Sequence, residues 1–221
     1  MSVVRKKGKS KKKKDALPCY QQIGDTCGYW CTRIAAEILM NRKFKGDELK
    51  RFKEYKSMCS REGVTLMTSV IRFEKFFPEL NVNFDAVDTN RGTSAEIQAA
   101  LDVPDTVVLL NMQNMDFKKN EFVENSKGNY GHNVCCVGYD DDYFYIQDSN
   151  KYGGSCKKRL SKALVDRGAN AYAGADVMEV LKLNRTIFHV AEVMSVYLGE
   201  PREQRRSAPR RSTRRRRLNF I

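Results

Sequence analysis

The sequence predicts an α+β domain in which helices occupy the first half and antiparallel strands the second. Three observations favour this class. Apolar residues recur at three- and four-residue spacing in the first half, the pattern changes to short β-branched runs after residue 105, and internal repeats are absent. The 221 residues, 41% of them hydrophobic, suffice for one sizeable core. We therefore expect one folded domain.

Four helices are expected in the first half. Asp25 or Thr26 can cap the first of them, which puts Cys27 in its first turn. Thr93 and Glu96 have the spacing of a capping box at the start of the fourth. The predicted helices span, in chain order, approximately residues 26–39, 47–59, 65–77 and 93–101.

Short runs rich in β-branched and aromatic residues predict strands in the second half. The predicted strands are residues 106–112, 132–139, 143–148, 176–183 and 186–197, and a short helix is predicted at about 160–167. The acidic turn at residues 140–142 joins the second and third strands as an antiparallel hairpin.

Basic charge is concentrated at the two ends of the chain. Residues 1–14 hold eight Lys and Arg and no acid, and residues 202–221 hold nine Arg and one Glu. The segment between them has a net charge of −3, although the whole chain carries +13. Like-charged runs without apolar residues favour disorder. We expect basic arms at residues 1–16 and 201–221 around a domain of residues 17–200.

A polyanion is the partner that suits these arms best. Their 17 cations would release counterions from a phosphate backbone, which gives sequence-independent, salt-sensitive binding to nucleic acid. Apart from Phe220, the arms hold no aromatic residue that could stack on bases. Nuclear targeting and simple solvation are the alternatives.

The sequence predicts an intracellular, reducing location, in a nucleus or packaged in a virus particle. A secretory signal is not expected, because no apolar run follows the basic start, and no stretch approaches the roughly 20 apolar residues of a membrane span. The seven cysteines form no spaced framework, which favours reduced thiols. Cys135-Cys136 lacks zinc-site spacing, so neither a metal nor a cofactor is expected.

Cys27 and one of the two histidines are candidates for nucleophilic catalysis. The positive end of a helix dipole stabilises a thiolate in the first turn. His132 begins a strand beside glycines and is favoured as the base over His189, which lies within a strand. The predicted hairpin puts Asp148 nearly opposite His132, where a carboxylate can fix the imidazole tautomer, and Asn150 is the alternative.

Four residues, in order and spacing, resemble the papain-like cysteine peptidases, and most closely their bacteriocin-leader-processing branch. They are Gln21, Cys27 followed by glycine, His132 and Asp148. The resemblance covers about residues 17–155. It implies a papain-like fold with the nucleophile at a helix start packed on an antiparallel sheet. Gln21, or Gln22 if the register differs by one, would donate to the oxyanion together with the Cys27 N–H.

The resulting hypothesis is a cysteine (thiol) protease that cleaves peptide or isopeptide bonds in a polypeptide substrate and is tethered to nucleic acid by its arms. The same nucleophile could also perform acyl transfer. The alternative is a catalytically inactive papain-like fold that serves as a structural protein of a virion or chromatin, with virion assembly partners. Cys31 is an internal comparison, because it lacks a glutamine six positions earlier and is expected in the core.

Overall fold

The computed structural model describes most of the chain between residues 18 and 199. The described ranges are 18–22, 25–59, 65–87, 92–118, 120–125, 131–150, 155–173, 175–176, 178–179, 183 and 187–199. The basic arms predicted at residues 1–16 and 201–221 lie outside these ranges, so their disorder stays a prediction.

Helices precede most of the strands, and the predicted α+β class is confirmed. The described helices are α1 (Cys27–Met40), α2 (Asp47–Cys59), α3 (Leu66–Phe76), α4 (Ser94–Leu101) and α5 (Lys162–Tyr172), with a 3₁₀ turn at Pro78–Leu80. The described strands are β1 (Val82–Ala86), β2 (Thr106–Gln113), β3 (Met115–Lys118), β4 (Glu121–Glu124), β5 (His132–Tyr139), β6 (Tyr143–Gln147), β7 (Lys157–Ser161) and β8 (His189–Leu198).

Side chains that directly precede two of the helices explain where these helices begin. The Thr65 hydroxyl accepts from the N–H of Thr68 at the start of α3, and Thr93 with Glu96 forms the predicted capping box of α4. Thr26 precedes α1 but makes no side-chain cap bond. The first N–H groups of α1 therefore receive no cap from this residue.

The strands form one eight-stranded sheet in the order β1-β8-β2-β5-β6-β7-β4-β3. Neighbouring strands are antiparallel except β4 and β7, which pair in parallel. The predicted hairpin is β5–β6, in which Cys135 pairs with Gln147 and a bulge shifts the register before Gly138. The sequence does not predict β1, β3, β4 or β7, because these short strands contain charged residues and acquire their pattern only by pairing.

The prediction of a strand at residues 176–183 is wrong for the residues that the structure describes in this range. Met178, Glu179 and Leu183 are helical. The Asp176 carboxylate accepts from the N–H of Glu179, and the Glu179 carboxylate accepts from the N–H of Asp176. This reciprocal pair is a capping arrangement that favours a helical turn over an extended strand. The last predicted strand is present as β8.

The core lies on both faces of the sheet. On β2, Leu109 packs into the cluster with α1, α2 and α3, whereas Val108 and Leu110 pack into a second cluster with α4 and α5. Alternate side chains of a strand point to opposite faces. This explains why β2 is a continuous apolar run, since a strand covered on both sides has no solvent-facing positions.

A disulfide joins Cys19 to Cys156, with their Cα atoms 5.7 Å apart. The expectation of seven reduced thiols is therefore wrong for this pair, and the bond does not fit the reducing location that the sequence favours. The sequence separation of 137 positions makes the pairing a consequence of the fold rather than of any local spacing. None of the described helices is long and apolar enough to cross a membrane.

Candidate active site

Cys27 and His132 each begin an element, and those two elements are neighbours. Cys27 is the first residue of α1, and His132 is the first residue of β5. Helix α1 packs against β5. This packing brings the thiol and the imidazole close enough for His132 to lower the pKa of Cys27. The structure thus brings the predicted nucleophile and the predicted base together.

His132 is bound on its other side by Asp148. The distance between Nε2 of His132 and Oδ1 of Asp148 is 2.7 Å, and both side chains are fully buried. Continuing the Cys135–Gln147 register puts Asp148 opposite Val134, so it is a diagonal neighbour of His132 on the same face of the hairpin. Because Nε2 is engaged by the carboxylate, Nδ1 is the ring nitrogen that remains for the thiol.

The titration properties of these three groups are coupled. Burial raises the pKa of the Cys27 thiol, but the hydrogen bond and charge of His132 outweigh it, so that the pKa lies below its usual value. Burial disfavours the imidazolium, yet hydrogen bonds to Asp148 and Cys27 raise the pKa of His132 to about 9. The pKa of Asp148 is lowered, because the partners of its carboxylate outweigh burial. The arrangement favours a thiolate–imidazolium pair.

Asp148 has two further partners that the sequence does not predict. The ammonium of Lys158 donates to Oδ2 of Asp148 at 2.9 Å and to the Asn150 carbonyl at 2.6 Å. The Asn150 N–H donates to Oδ1 of Asp148 at 2.9 Å. Asn150, the alternative orienting residue, therefore contacts the carboxylate through its backbone, and the residue against the imidazole is Asp148.

Asn133 is a second site residue that sequence reasoning misses. Its Nδ2 donates to Sγ of Cys27 at 3.4 Å, and its Oδ1 is buried without a hydrogen-bond partner among the described residues. At Gly28, directly after the nucleophile, a side chain would have no room. A Cβ on Gly28 would lie 2.4 Å from the Ser69 hydroxyl and 3.5 Å from the Asn133 amide. Only the position of Asn133 directly after the candidate base could have signalled its role.

The two candidate oxyanion donors have different surroundings. The N–H of Gln22 donates to the Ser149 carbonyl at 2.9 Å, and the Ser149 hydroxyl donates to Oε1 of Gln22 at 2.6 Å. Gln21, by contrast, is exposed. The segment before α1 is thus tied through Gln22 to the residue that follows Asp148, and the neighbouring amide of Gln21 is accessible from solvent.

The other sequence candidates do not join this site. Nδ1 of His189 lies 3.0 Å from the Tyr172 hydroxyl and 3.1 Å from the Ile187 carbonyl, between α5 and β8. Cys31 is buried and donates to the Gly28 carbonyl, and burial raises its pKa well above the usual value. In the part of the chain that the structure describes, no group of three or more His, Cys, Asp and Glu side chains could hold a metal ion.

Comparisons with known proteins add little to this geometry. No protein-family model matches the chain, and no curated protein matches it. Among the solved structures that do match is one from Bacillus anthracis that is described provisionally as a C39-like peptidase. It is 13% identical with a TM-score of 0.45, and the match covers 84% of this chain and 96% of that one. A likeness of this degree carries no functional assignment, so function has to be inferred from the site.

Proposed function

We propose that this chain is a cysteine-dependent hydrolase that cleaves peptide or isopeptide bonds in a polypeptide substrate. The observation that carries the proposal is the series in which the partly exposed Cys27 thiol lies beside His132, and Nε2 of the buried His132 lies 2.7 Å from the buried Asp148. A nucleophile, a base and a group that orients the base are the parts that acyl chemistry requires.

The reaction proceeds in two steps that return the site to its starting state. The Cys27 thiolate attacks the scissile carbonyl, and the His132 imidazolium protonates the departing amine, which leaves a thioester and a neutral imidazole. His132 then takes a proton from water, and the resulting hydroxide attacks the thioester and releases the acid and the thiolate. Asp148 keeps the ring in one tautomer throughout. An amine in place of water would give acyl transfer.

The backbone N–H of Cys27 and the side-chain amide of Gln21 are the proposed oxyanion donors. Support comes from the start of α1, where Thr26 supplies no side-chain cap to the first N–H groups, and from the exposure of Gln21. Gln22 is engaged with Ser149 and fits better as the residue that anchors the segment. Donors directed at the developing negative charge stabilise it by about 3–4 kcal/mol each.

The test is cleavage of a defined pool of peptides and isopeptide-linked peptides, with the products identified by mass spectrometry. Cleavage is expected with the native protein and with Cys31→Ala, but not with Cys27→Ala. Cys31 is the matched control, since it lies one turn further along the same helix with its thiol in the core. Cleavage that persists in Cys27→Ala would contradict the proposal. A native protein without activity would favour the catalytically inactive structural alternative.

The basic ends of the chain suggest that the enzyme is tethered to nucleic acid. The segment between them has a net charge of −3, so non-specific affinity for a polyanion would come from the ends alone. Salt-sensitive binding to duplex DNA is expected for the full chain, and it should be lost when residues 1–14 and 202–221 are deleted. Undiminished binding by the shortened chain would rule out tethering by the ends.

A further inference from the structure

We propose that Lys158 is a positioning residue of the active site, which holds Asp148 as an anion with its Oδ1 directed at His132. The inference rests on the proposed function of the Cys27–His132–Asp148 series. It adds a fourth charged group that lies behind the carboxylate and does not touch the substrate.

The two oxygens of the Asp148 carboxylate have separate partners. Oδ1 faces Nε2 of His132 at 2.7 Å and accepts from the Asn150 N–H at 2.9 Å. Oδ2 accepts from the Lys158 ammonium at 2.9 Å. Because Lys158 also donates to the Asn150 carbonyl at 2.6 Å, it fixes the backbone that follows the carboxylate as well as the carboxylate itself. Rotation of Asp148 away from the imidazole would break contacts on both sides.

The side chain of Lys158 is completely buried, and a buried lysine needs partners that compensate for its lost hydration. The side chains of Lys158 and Asp148 both have 0% exposure. Burial lowers the pKa of Lys158, and Asp148 opposes this shift. The ammonium also lies 3.7 Å from the centre of the Phe117 ring, where the aromatic face supplies partial compensation. Lysine is almost never fully buried without such partners.

Charge balance gives the lysine a function. A thiolate, an imidazolium and a carboxylate beside one another carry a net charge of −1, and the Lys158 ammonium brings the sum to zero. Among the described residues, His132 from β5 and Lys158 from β7 contact this carboxylate, and the Cys27 and Cys31 thiols of α1 are the titratable groups further away. The Phe117 ring of β3 faces the ammonium without charge. Removal of the cation should therefore make every acid in the series bind its proton more tightly.

The test compares Lys158→Met with the matched control Lys157→Met. Lys157 precedes it on β7 but is exposed, whereas Lys158 is buried. Two signals are measured against pH: the rate of Cys27 alkylation by iodoacetamide, and the imidazole resonances of histidine-labelled protein, which contains only two histidines. In Lys158→Met we expect the midpoint of Cys27 alkylation to rise by about one pH unit and the His132 resonances to shift. Lys157→Met should leave both unchanged.

A purely structural role would give a different result. If Lys158→Met lowers the melting temperature but leaves the alkylation profile and the His132 resonances as in the native protein, the proposal is overturned. If Cys27 of the native protein titrates as an ordinary thiol, both the proposed function and the proposed role of Lys158 fail. A native thiolate–imidazolium pair that is unaffected in Lys158→Met would overturn the role of Lys158 alone.

The double variant Lys158→Met/Asp148→Asn covers the case in which Lys158→Met does not fold, because it removes both buried charges together. If the lysine acts through Asp148, the double variant and Asp148→Asn alone should have the same alkylation profile, since an ammonium buried without its partner loses its proton. A further shift in the double variant would mean that Lys158 acts by another route, and it would overturn the proposal.

Discussion

At the scale of single residues, the site depends on two groups whose pKa values move in opposite directions. The pKa of Cys27 is lowered and that of His132 is raised to about 9. These opposite shifts favour the coexistence of the thiolate and the imidazolium, and the two groups titrate as a pair rather than independently. The same pairing has consequences for stability as well as for reactivity.

The pH dependence of folding should reveal both shifts. A raised pKa means that the contribution of His132 is present below about pH 6.5 and is lost as pH rises through about 9, whereas a lowered pKa means that the contribution of Cys27 is present at high pH and is lost as pH falls through the lowered value. The two contributions have opposite pH dependence, so the free energy of unfolding of the native protein is expected to change less with pH than that of Cys27→Ala. In Cys27→Ala only the loss of the His132 contribution remains, and the free energy of unfolding should fall as pH rises.

Urea unfolding at a series of pH values measures this difference. Cys31→Ala is the control, because burial raises the pKa of Cys31 well above its usual value, so its removal should shift stability equally at every pH below the free-thiol pKa of about 8.5. Parallel curves for Cys27→Ala and Cys31→Ala would contradict a thiolate–imidazolium pair in the folded state.

Asn133 offers a second test at this scale. Its amide donates to the Cys27 sulfur, and hydrogen bonds to charged groups contribute about 1.5–3 kcal/mol. Asn133→Asp replaces the donor by a carboxylate and should slow Cys27 alkylation at pH 7 by at least about tenfold. Asn133→Ser retains a hydrogen-bond donor and should slow the alkylation of Cys27 less. Equal rates in both variants would argue against a role for the amide.

At the scale of elements, close backbone contacts fix how helices sit on the sheet. Helix α5 approaches β8 so closely that a Cβ on Gly168 would lie 2.2 Å from the Phe188 carbonyl oxygen. Gly168→Ala is therefore expected to cost about 1–3 kcal/mol through overpacking.

Gly138→Ala is the comparison for this prediction, because its nearest atom, in Tyr145, lies at an ordinary 3.9 Å. Denaturant unfolding of both variants checks the difference. Equal stability of the two would mean that the α5–β8 contact is looser than the structure indicates.

The elements that the sequence predicts are those with a local signal. The capping box of Thr93 and Glu96 marks α4, and the hairpin of β5 and β6 follows from two apolar runs around an acidic turn. Strand β7 has no such signal, because its inward-facing positions are defined only by pairing with β6. Lys158 is on β7, and this is why a basic run of sequence gives no warning of a buried lysine beside Asp148.

At the scale of the whole molecule, the Cys19–Cys156 disulfide closes most of the chain into one loop. The same region holds the site together locally, since the Asp148 N–H donates to the Cys156 carbonyl at 2.8 Å. A loop of this length contributes about 4–5 kcal/mol in the chain-entropy description. No local spacing predicts the bond, because the two cysteines are 137 positions apart in the sequence and only the fold brings them together.

Reduction of this disulfide is expected to lower the melting temperature and to loosen the segment that carries Gln21. Thermal unfolding with and without dithiothreitol measures the change. Cys19→Ser is the control, because it removes the bond in advance and should unfold at the same temperature with or without reductant. An unchanged melting temperature of the native protein after verified reduction would contradict a stabilising role for the bond.

The most direct test of the central claim is the pH dependence of Cys27 alkylation in the native protein and in His132→Ala, read by peptide mass spectrometry. The site predicts rapid labelling of Cys27 over Cys31 below pH 7 and the loss of this labelling without the imidazole. Labelling of Cys27 only near the free-thiol pKa of about 8.5, with no difference between the two proteins, would contradict a catalytic thiolate–imidazolium pair.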